Sequence, residues 1–220
     1  MNLGTEIIEK VLLFDDHRSS DKDNAISTTT LIGSNWKAQR DMLSDIEPRT
    51  NIDPMTRRSS TIGTGLHMRA ERAMEKEPLT NAIETYSEKE IDGVWISGSF
   101  DIVYDGHIMD YKSGYGKTFS QDKIDKAILQ MSIYRWLNQD VEIKDIAYVL
   151  FISQSNNAYE SYEIELMSIY DTETYIKGRI KEIKSQTTID CIKRPYDACM
   201  YCSYSEQDCI NKYKEISGGF

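Results

Sequence analysis

Ser99-Phe100-Asp101 and Ile108-Met109-Asp110-Tyr111-Lys112 place two acids and an amine where one surface can use all three. Residues two apart on an extended strand point to the same side, so Asp110 and Lys112 share a face. Asp101 lies on the preceding extended run. The Tyr104-Asp105-Gly106 segment between them carries a hairpin signal that folds Asp101 back onto that face. Two carboxylates meeting on a half-buried sheet repel each other, and a divalent cation relieves this. Mg²⁺ takes one or two carboxylates, keeps several waters and binds phosphate oxygens with the rest of its shell. Lys112 then stands where it can position or deprotonate a nucleophilic water and steady charge developing on phosphorus. Acid-x-Lys also occurs at Glu142–Lys144 and Glu182–Lys184, but only Asp110–Lys112 follows a hydrophobic strand with an acid across a tight turn. The competing use of such charges is to blunt an exposed sheet edge.

Three further groupings carry chemistry. His67 and Glu71 are four apart on a helical stretch and so share a face; His67 can supply a nitrogen ligand, with Glu71 as a nearby carboxylate or a partner that orients the ligands. Gln130 and Tyr134 have the same spacing on a second helix. The four cysteines, Cys191, Cys199, Cys202 and Cys209, all fall in the last thirty residues as C-x7-C-x2-C-x6-C. That crowding suits four ligands on one centre better than a disulfide framework, and zinc and an iron–sulfur cluster both satisfy it.

The elements that must hold these groups follow from patterning. Met1–Phe14 reads as a short amphipathic helix, Asp15–Thr30 as a polar loop, and Ser34–Leu43 as a helix, followed by a polar connection with Pro48 and Pro54. A helix runs from Gly65 to about Lys76 with Thr64 as its cap. Val94–Val103 and His107–Lys112 form the hairpin, and Gln121–Asn138 is a helix with Ile124, Ala127, Ile128, Met131 and Leu137 on its apolar side. Ile146–Ile152 and Tyr159–Leu166 alternate as strands, and a helix spans Thr172–Ser185. This order is mixed α/β, with three to four mostly antiparallel strands. His17 and His107 have no evident partners, and the three tryptophans read as core or surface filler. Arg57, Arg58, Arg69 and Arg72, with Lys112, Lys117, Lys123 and Lys126, surround the motifs and can track phosphates or form a solvated surface. Ser113-Gly114-Tyr115-Gly116-Lys117 is a flexible loop directly after the reactive strand, placed to close over a bound substrate.

Composition sets outer bounds. With 40% hydrophobic residues the chain can build a core, and no apolar run approaches the roughly 18–20 residues that cross a bilayer. The N-terminus has acids where a signal peptide has a basic region, which points to the cytoplasm and away from a disulfide-stapled extracellular protein. Twenty-six Lys and Arg against 36 Asp and Glu give a net charge of −10, at first sight adverse to a nucleic-acid partner.

Taken in order, Gly63-Thr64-Gly65-Leu66-His67 with Glu71, Ser99-Phe100-Asp101, Asp110-Tyr111-Lys112 and Gln130-x-x-x-Tyr134 resemble the RecB-like branch of the PD-(D/E)XK nucleases, over about residues 60–210. That branch includes the CRISPR-associated exonucleases and many bacteriophage exonucleases. The resemblance implies a restriction-endonuclease-like core, a mixed central sheet flanked by helices, over residues 61–188. A helical region at 1–60 precedes it and a cysteine-rich segment at 189–220 packs on it. It implies Mg²⁺ or Mn²⁺ held by His67, Asp101, Asp110 and the backbone carbonyl of Tyr111, with Lys112 at the nucleophile and Gln130 and Tyr134 organising the site and the DNA. It implies a [4Fe–4S] cluster, with Zn²⁺ as the alternative, on the four cysteines. Family members usually draw the fourth cysteine from well upstream, whereas here it is Cys191. The implied activity is exonucleolytic hydrolysis at single-stranded DNA ends in recombination, repair or viral DNA metabolism, in the cytoplasm of a bacterium or a virus-infected host cell. A recombinase, helicase or single-strand-binding protein is a fitting partner, and an oligomer is compatible. The competing reading is a catalytically silent nuclease-like module that binds DNA or a partner.

Overall fold

Two Asp-Gly turns organise the centre of the molecule. A computed structural model describes residues 20–33, 38, 58–116, 118–155 and 158–185. Within these, Asp92-Gly93 and Asp105-Gly106 both have positive φ (51° and 73°, 46° and 76°), the backbone of a two-residue hairpin whose twist matches its strands. They join β2 (Thr80–Ile91), β3 (Val94–Tyr104) and β4 (His107–Gly114) into an antiparallel meander. β5 (Ile146–Ser153) then pairs with β4 in parallel, and β6 (Tyr159–Glu165) returns antiparallel to β5. A short strand, β1 (Ala25–Ser27), pairs in parallel with β3.

The resulting mixed six-stranded sheet forks around β3. One side of β3 is paired with β2 along its length. The other side meets β1 at Trp95–Ser97 and β4 at Ile102–Tyr104, which leaves Gly98–Asp101 without a strand neighbour on that side among the described residues. Beyond Met109, β4 leaves β3 and runs with β5.

Helices α1 (Thr28–Leu31), α2 (Arg58–Met74), α3 (Gln121–Leu137) and α4 (Ile169–Lys184) flank the sheet. Ile108, Val149 and Phe151 of the sheet and Met131, Trp136, Ile176 and Ile180 of α3 and α4 are buried in the core. The last turns of α3 are buried all round from Met131 to Leu137, so Arg135 is tied internally to Asp145 (2.5 Å) and to the Met167 carbonyl. α2 has no buried residue among those whose side chains are described.

Several expectations are corrected. The polar stretch expected to be a loop over Asp15–Thr30 holds β1 and the start of α1, because Ile26 and Leu31 are fully buried and Ser27 caps the helical turn by accepting from the Thr30 N–H at 3.1 Å. Helix α2 begins at Arg58, so Thr64 is interior rather than a cap; docking on the sheet overrides the roughly 1 kcal/mol that each of Gly63 and Gly65 costs a helix. β2 is absent from the sequence reading because its mostly polar alternation carries no apolar face. The expectation of mostly antiparallel strands holds for three of the five pairings, and the other two, β1 with β3 and β4 with β5, are parallel. His107 is not without partners: its Nδ1 lies 2.7 Å from the Ile146 carbonyl and its ring meets Tyr148 edge-on. The helices expected at Met1–Phe14 and Ser34–Leu43 lie outside the described residues apart from Ala38, which is helical and buried; His17, Pro48, Pro54 and the four cysteines lie outside them as well.

The hairpin turn generates a direct test. Gly106→Ala forces a side chain into φ +76°, and the loss expected is about 1 kcal/mol, read as a lower urea midpoint at unchanged slope.

Candidate active site

The reactive side chains gather where the sheet forks. Asp110 follows Ile108 on the core face of β4, which is why only 2% of it is exposed despite its charge. Lys112, next on the same face, places its Nζ 2.9 Å from Asp110 Oδ1 in a hydrogen bond and 2.7 Å from Oδ2. The ammonium thus pairs with both carboxylate oxygens, hydrogen-bonding to Oδ1 and approaching the buried Oδ2 as an ion pair. On the unpaired stretch of β3, Asp101 Oδ2 accepts the Tyr111 N–H at 2.8 Å and so takes the place of a missing ladder carbonyl.

Tyr111 and Ser113 point to the opposite face, where α2 lies. His67 reaches across from α2: its Nε2 is 2.7 Å from the Tyr111 carbonyl and its Nδ1 3.5 Å from Asp101 Oδ1. A carbonyl only accepts, so Nε2 carries a proton in this arrangement. Glu71, one turn further along α2, faces the charges of Glu84 and Asp101.

From the core side, α3 presents Gln130 and Tyr134, whose amide donates to the tyrosyl oxygen at 2.6 Å. The Tyr134 ring packs over Gly98, where an added Cβ would stand 2.6 Å from Tyr134 Cε1 and 2.6 Å from Thr28 Oγ1. Thr28 is buried and donates to the Ser97 carbonyl at 2.9 Å. Thr28 and Gly98 are the positions that sequence reading missed. The signal was present for Gly98, since a glycine inside an apolar strand marks a close approach; for Thr28, in a polar run, there was none.

The electrostatics follow from this packing. Burial pushes the Asp110 carboxyl above the usual carboxylate range, and Asp101 adds to that while Lys112 opposes it. Burial works against the charge on Lys112, but the Asp110 carboxylate outweighs it and holds the ammonium above its ordinary value. Burial likewise opposes charge on His67, yet the hydrogen bond and charge of Asp101 raise it on balance. Glu71 is raised by burial and by Glu84 and Asp101. Burial and the Asp110 charge push the Tyr134 phenol well up, so it acts as a neutral hydrogen-bonding group. The structure thus brings His67, Asp101, Asp110, the Tyr111 carbonyl and Lys112 together, with Gln130 and Tyr134 beside them and Glu71 at the periphery.

Among the described residues no three His, Cys, Asp or Glu side chains form a closed metal cage. The donors fit a hard, hydrated cation of the Mg²⁺ type, which uses few carboxylates, rather than a caged one. Two features carry that fit: the buried Asp110 carboxylate, whose Oδ2 is met only by the Lys112 ion pair, and the hydrogen bond from His67 to the Tyr111 carbonyl, two groups able to ligate once the proton leaves.

The PD-(D/E)XK nuclease superfamily model matches residues 33–207. Among solved structures, SSO0001 is similar at 17% identity and TM-score 0.61, covering 91% of this chain and 93% of the other. A phage-related exonuclease from Haemophilus somnus 129PT is similar at 14% identity and TM-score 0.49, over 74% and 93%. The alkaline exonuclease LHK-Exo from Laribacter hongkongensis is similar at 15% identity and TM-score 0.47, over 78% and 92%. No curated protein matches the sequence.

Two measurements check this geometry. Because the folded-state pKa of Asp110 is raised, the stability tied to its protonated form is present at low pH and lost as pH rises; a cation that neutralises it restores stability where the carboxylate is charged. Mn²⁺ is therefore expected to raise the melting temperature more at about pH 8 than at about pH 5.5, and not in Asp110→Asn. Gly98→Ala forces Tyr134 and Thr28 apart and is expected to cost about 1–3 kcal/mol in denaturant unfolding.

Proposed function

Because the chain belongs to the PD-(D/E)XK nuclease superfamily, we propose that it is a divalent-metal-dependent DNA nuclease that hydrolyses phosphodiester bonds from single-stranded ends. The observation that carries this is the buried Asp110 carboxylate, ion-paired through both oxygens with the Lys112 ammonium at a fork shared with Asp101. A binding role alone gives no reason to bury an acid and an ammonium together beside a second acid. The motif order shared with RecB-like exonucleases supports action at ends.

In this reading Asp110, Asp101, His67 and the Tyr111 carbonyl hold Mg²⁺ or Mn²⁺, which supplies charge neutralisation of the phosphate and lowers the pKa of water. Lys112 acts as a cation, since Asp110 keeps it protonated: it orients the attacking water and stabilises charge building on the phosphoryl oxygens. Asp101 fixes the backbone of Tyr111 through its N–H and sets the direction of the next carbonyl along β4. Tyr134, neutral and locked over Gly98, presents its hydroxyl with the Gln130 amide as one polar unit towards the substrate. Glu71 restrains His67 from the same helix face. Cys191, Cys199, Cys202 and Cys209 remain the proposed ligands of a [4Fe–4S] cluster or zinc, and no step of hydrolysis passes through them. The setting proposed is cytoplasmic DNA recombination or repair; no helix among the described residues is long and apolar enough to cross a membrane.

The test is cleavage of an end-labelled single-stranded oligonucleotide. Activity is expected with Mg²⁺ or Mn²⁺ and none in chelator. Asp110→Asn and Lys112→Met are each expected to lower kcat by about 10²–10³ or more while the circular dichroism spectrum persists. Wild-type rates in either folded variant overturn the assignment.

A further inference from the structure

The segment after Lys112 is held more firmly than its glycines suggest. Gln154 Nε2 donates to Ser113 Oγ at 2.8 Å, the Gln154 N–H donates to the Gly114 carbonyl at 2.7 Å, and Ser155 Oγ donates to the Tyr115 carbonyl at 2.5 Å. These bonds pin the backbone under Tyr115 to the end of β5, yet the Tyr115 residue itself is 55% exposed. A large aromatic ring on an immobilised backbone, in solvent, loses little conformational entropy on meeting a flat partner.

Near the preceding residue, Gly114, is a cation that no described carboxylate claims. Lys126 pairs with Asp122 at 2.9 Å, and Lys117 lies outside the described residues. Lys123, by contrast, forms no ion pair among the described residues. Its Nζ lies 5.6 Å from the Phe119 ring centroid and 4.0 Å from the place a Cβ on Gly114 would occupy. That Cβ would also press on Phe151 at 3.4 Å, so glycine keeps this space clear. Gly114 and Lys112 are two apart on β4 and share a face, so Lys123 approaches the strand one step beyond the reactive lysine.

We propose that Tyr115 and Lys123 form the subsite for the nucleotide adjoining the cleaved bond in a single-stranded DNA end, Lys123 taking its phosphate and Tyr115 stacking on its base. The inference rests on the nuclease reading and deepens it: the end of β4 grips one unpaired nucleotide and Lys112 acts on the neighbouring phosphate. Aromatic stacking tolerates any base, so the subsite selects unpaired DNA without selecting sequence.

The test uses the full-length protein. With Mn²⁺ and an oligothymidylate, Tyr115→Ala is expected to raise KM about tenfold with kcat within about twofold, since it removes binding shared by ground and transition states. Tyr115→Trp restores KM. In Ca²⁺, with a terminal 2-aminopurine as probe, wild type quenches the fluorescence on binding and Tyr115→Ala does not. Lys123→Ala is expected to reduce the slope of log K against log salt by about 0.7, one single-strand phosphate contact. A wild type that cleaves DNA alongside variants with unchanged KM, quenching and salt slope overturns the subsite alone. A wild type that neither binds nor cleaves DNA overturns the nuclease reading and the subsite with it.

Discussion

A carboxylate on the core face of a sheet is the constraint around which this molecule is arranged. Asp110 stands between Ile108 and Lys112 on β4, beside the buried Val149 of β5, at 2% exposure. An ionised group there costs several kcal/mol unless it is paired, and the Lys112 ammonium, 2.9 Å and 2.7 Å from its two oxygens, supplies that pairing. Lys112 is in turn held charged by the acid it serves. A well-packed apolar pair at the same positions would be the more stable solution, so what is kept is chemical readiness at a cost in folding energy.

The fork in the sheet supplies access to that buried acid. Had β4 stayed paired with β3 beyond Met109, the ladder would have consumed the Tyr111 N–H and closed over Asp101. Instead β4 exchanges one neighbour for another, antiparallel β3 for parallel β5, and side chains fill the gap. Asp101 replaces a ladder acceptor, His67 approaches from α2, and Tyr134 and Thr28 occupy the space above Gly98. Each group comes from a different element, so the core that holds β3, β4 and α3 together is also what sets the relative positions of the acids, the lysine and the Gln130–Tyr134 pair.

What could be seen in the sequence follows the same physics. The hairpin was legible because Asp-Gly between apolar runs has few other uses, and α3 because seventeen residues without Gly or Pro favour a helix, although its buried C-terminal turns blur the apolar stripe. The convergence of Asp101, Asp110 and Lys112 followed from strand alternation alone. β1 and β2 were illegible for opposite reasons: three residues are too few to show a period, and twelve mostly polar residues, three of them Glu, show no apolar face. The contacts that brace the site were hidden in a different way. Thr28 over Ser97, Gln154 on Ser113 and the Tyr134 ring against Gly98 are separated by 69, 41 and 36 residues, and pairwise long-range packing leaves no local pattern.

The net charge of −10 takes on its meaning at this site rather than over the whole surface. Asp101, Asp110 and Glu71 face His67 and Lys112, and the ammonium is already committed to Asp110. Without a cation the centre therefore offers a phosphate no uncommitted positive charge, and Coulomb repulsion at these distances is strong where water is excluded. In the proposed reading a divalent ion would reverse that sign locally while leaving the rest of the protein acidic. Phosphate binding at the fork would then depend on the cation and Lys112 rather than on the charge of the chain as a whole.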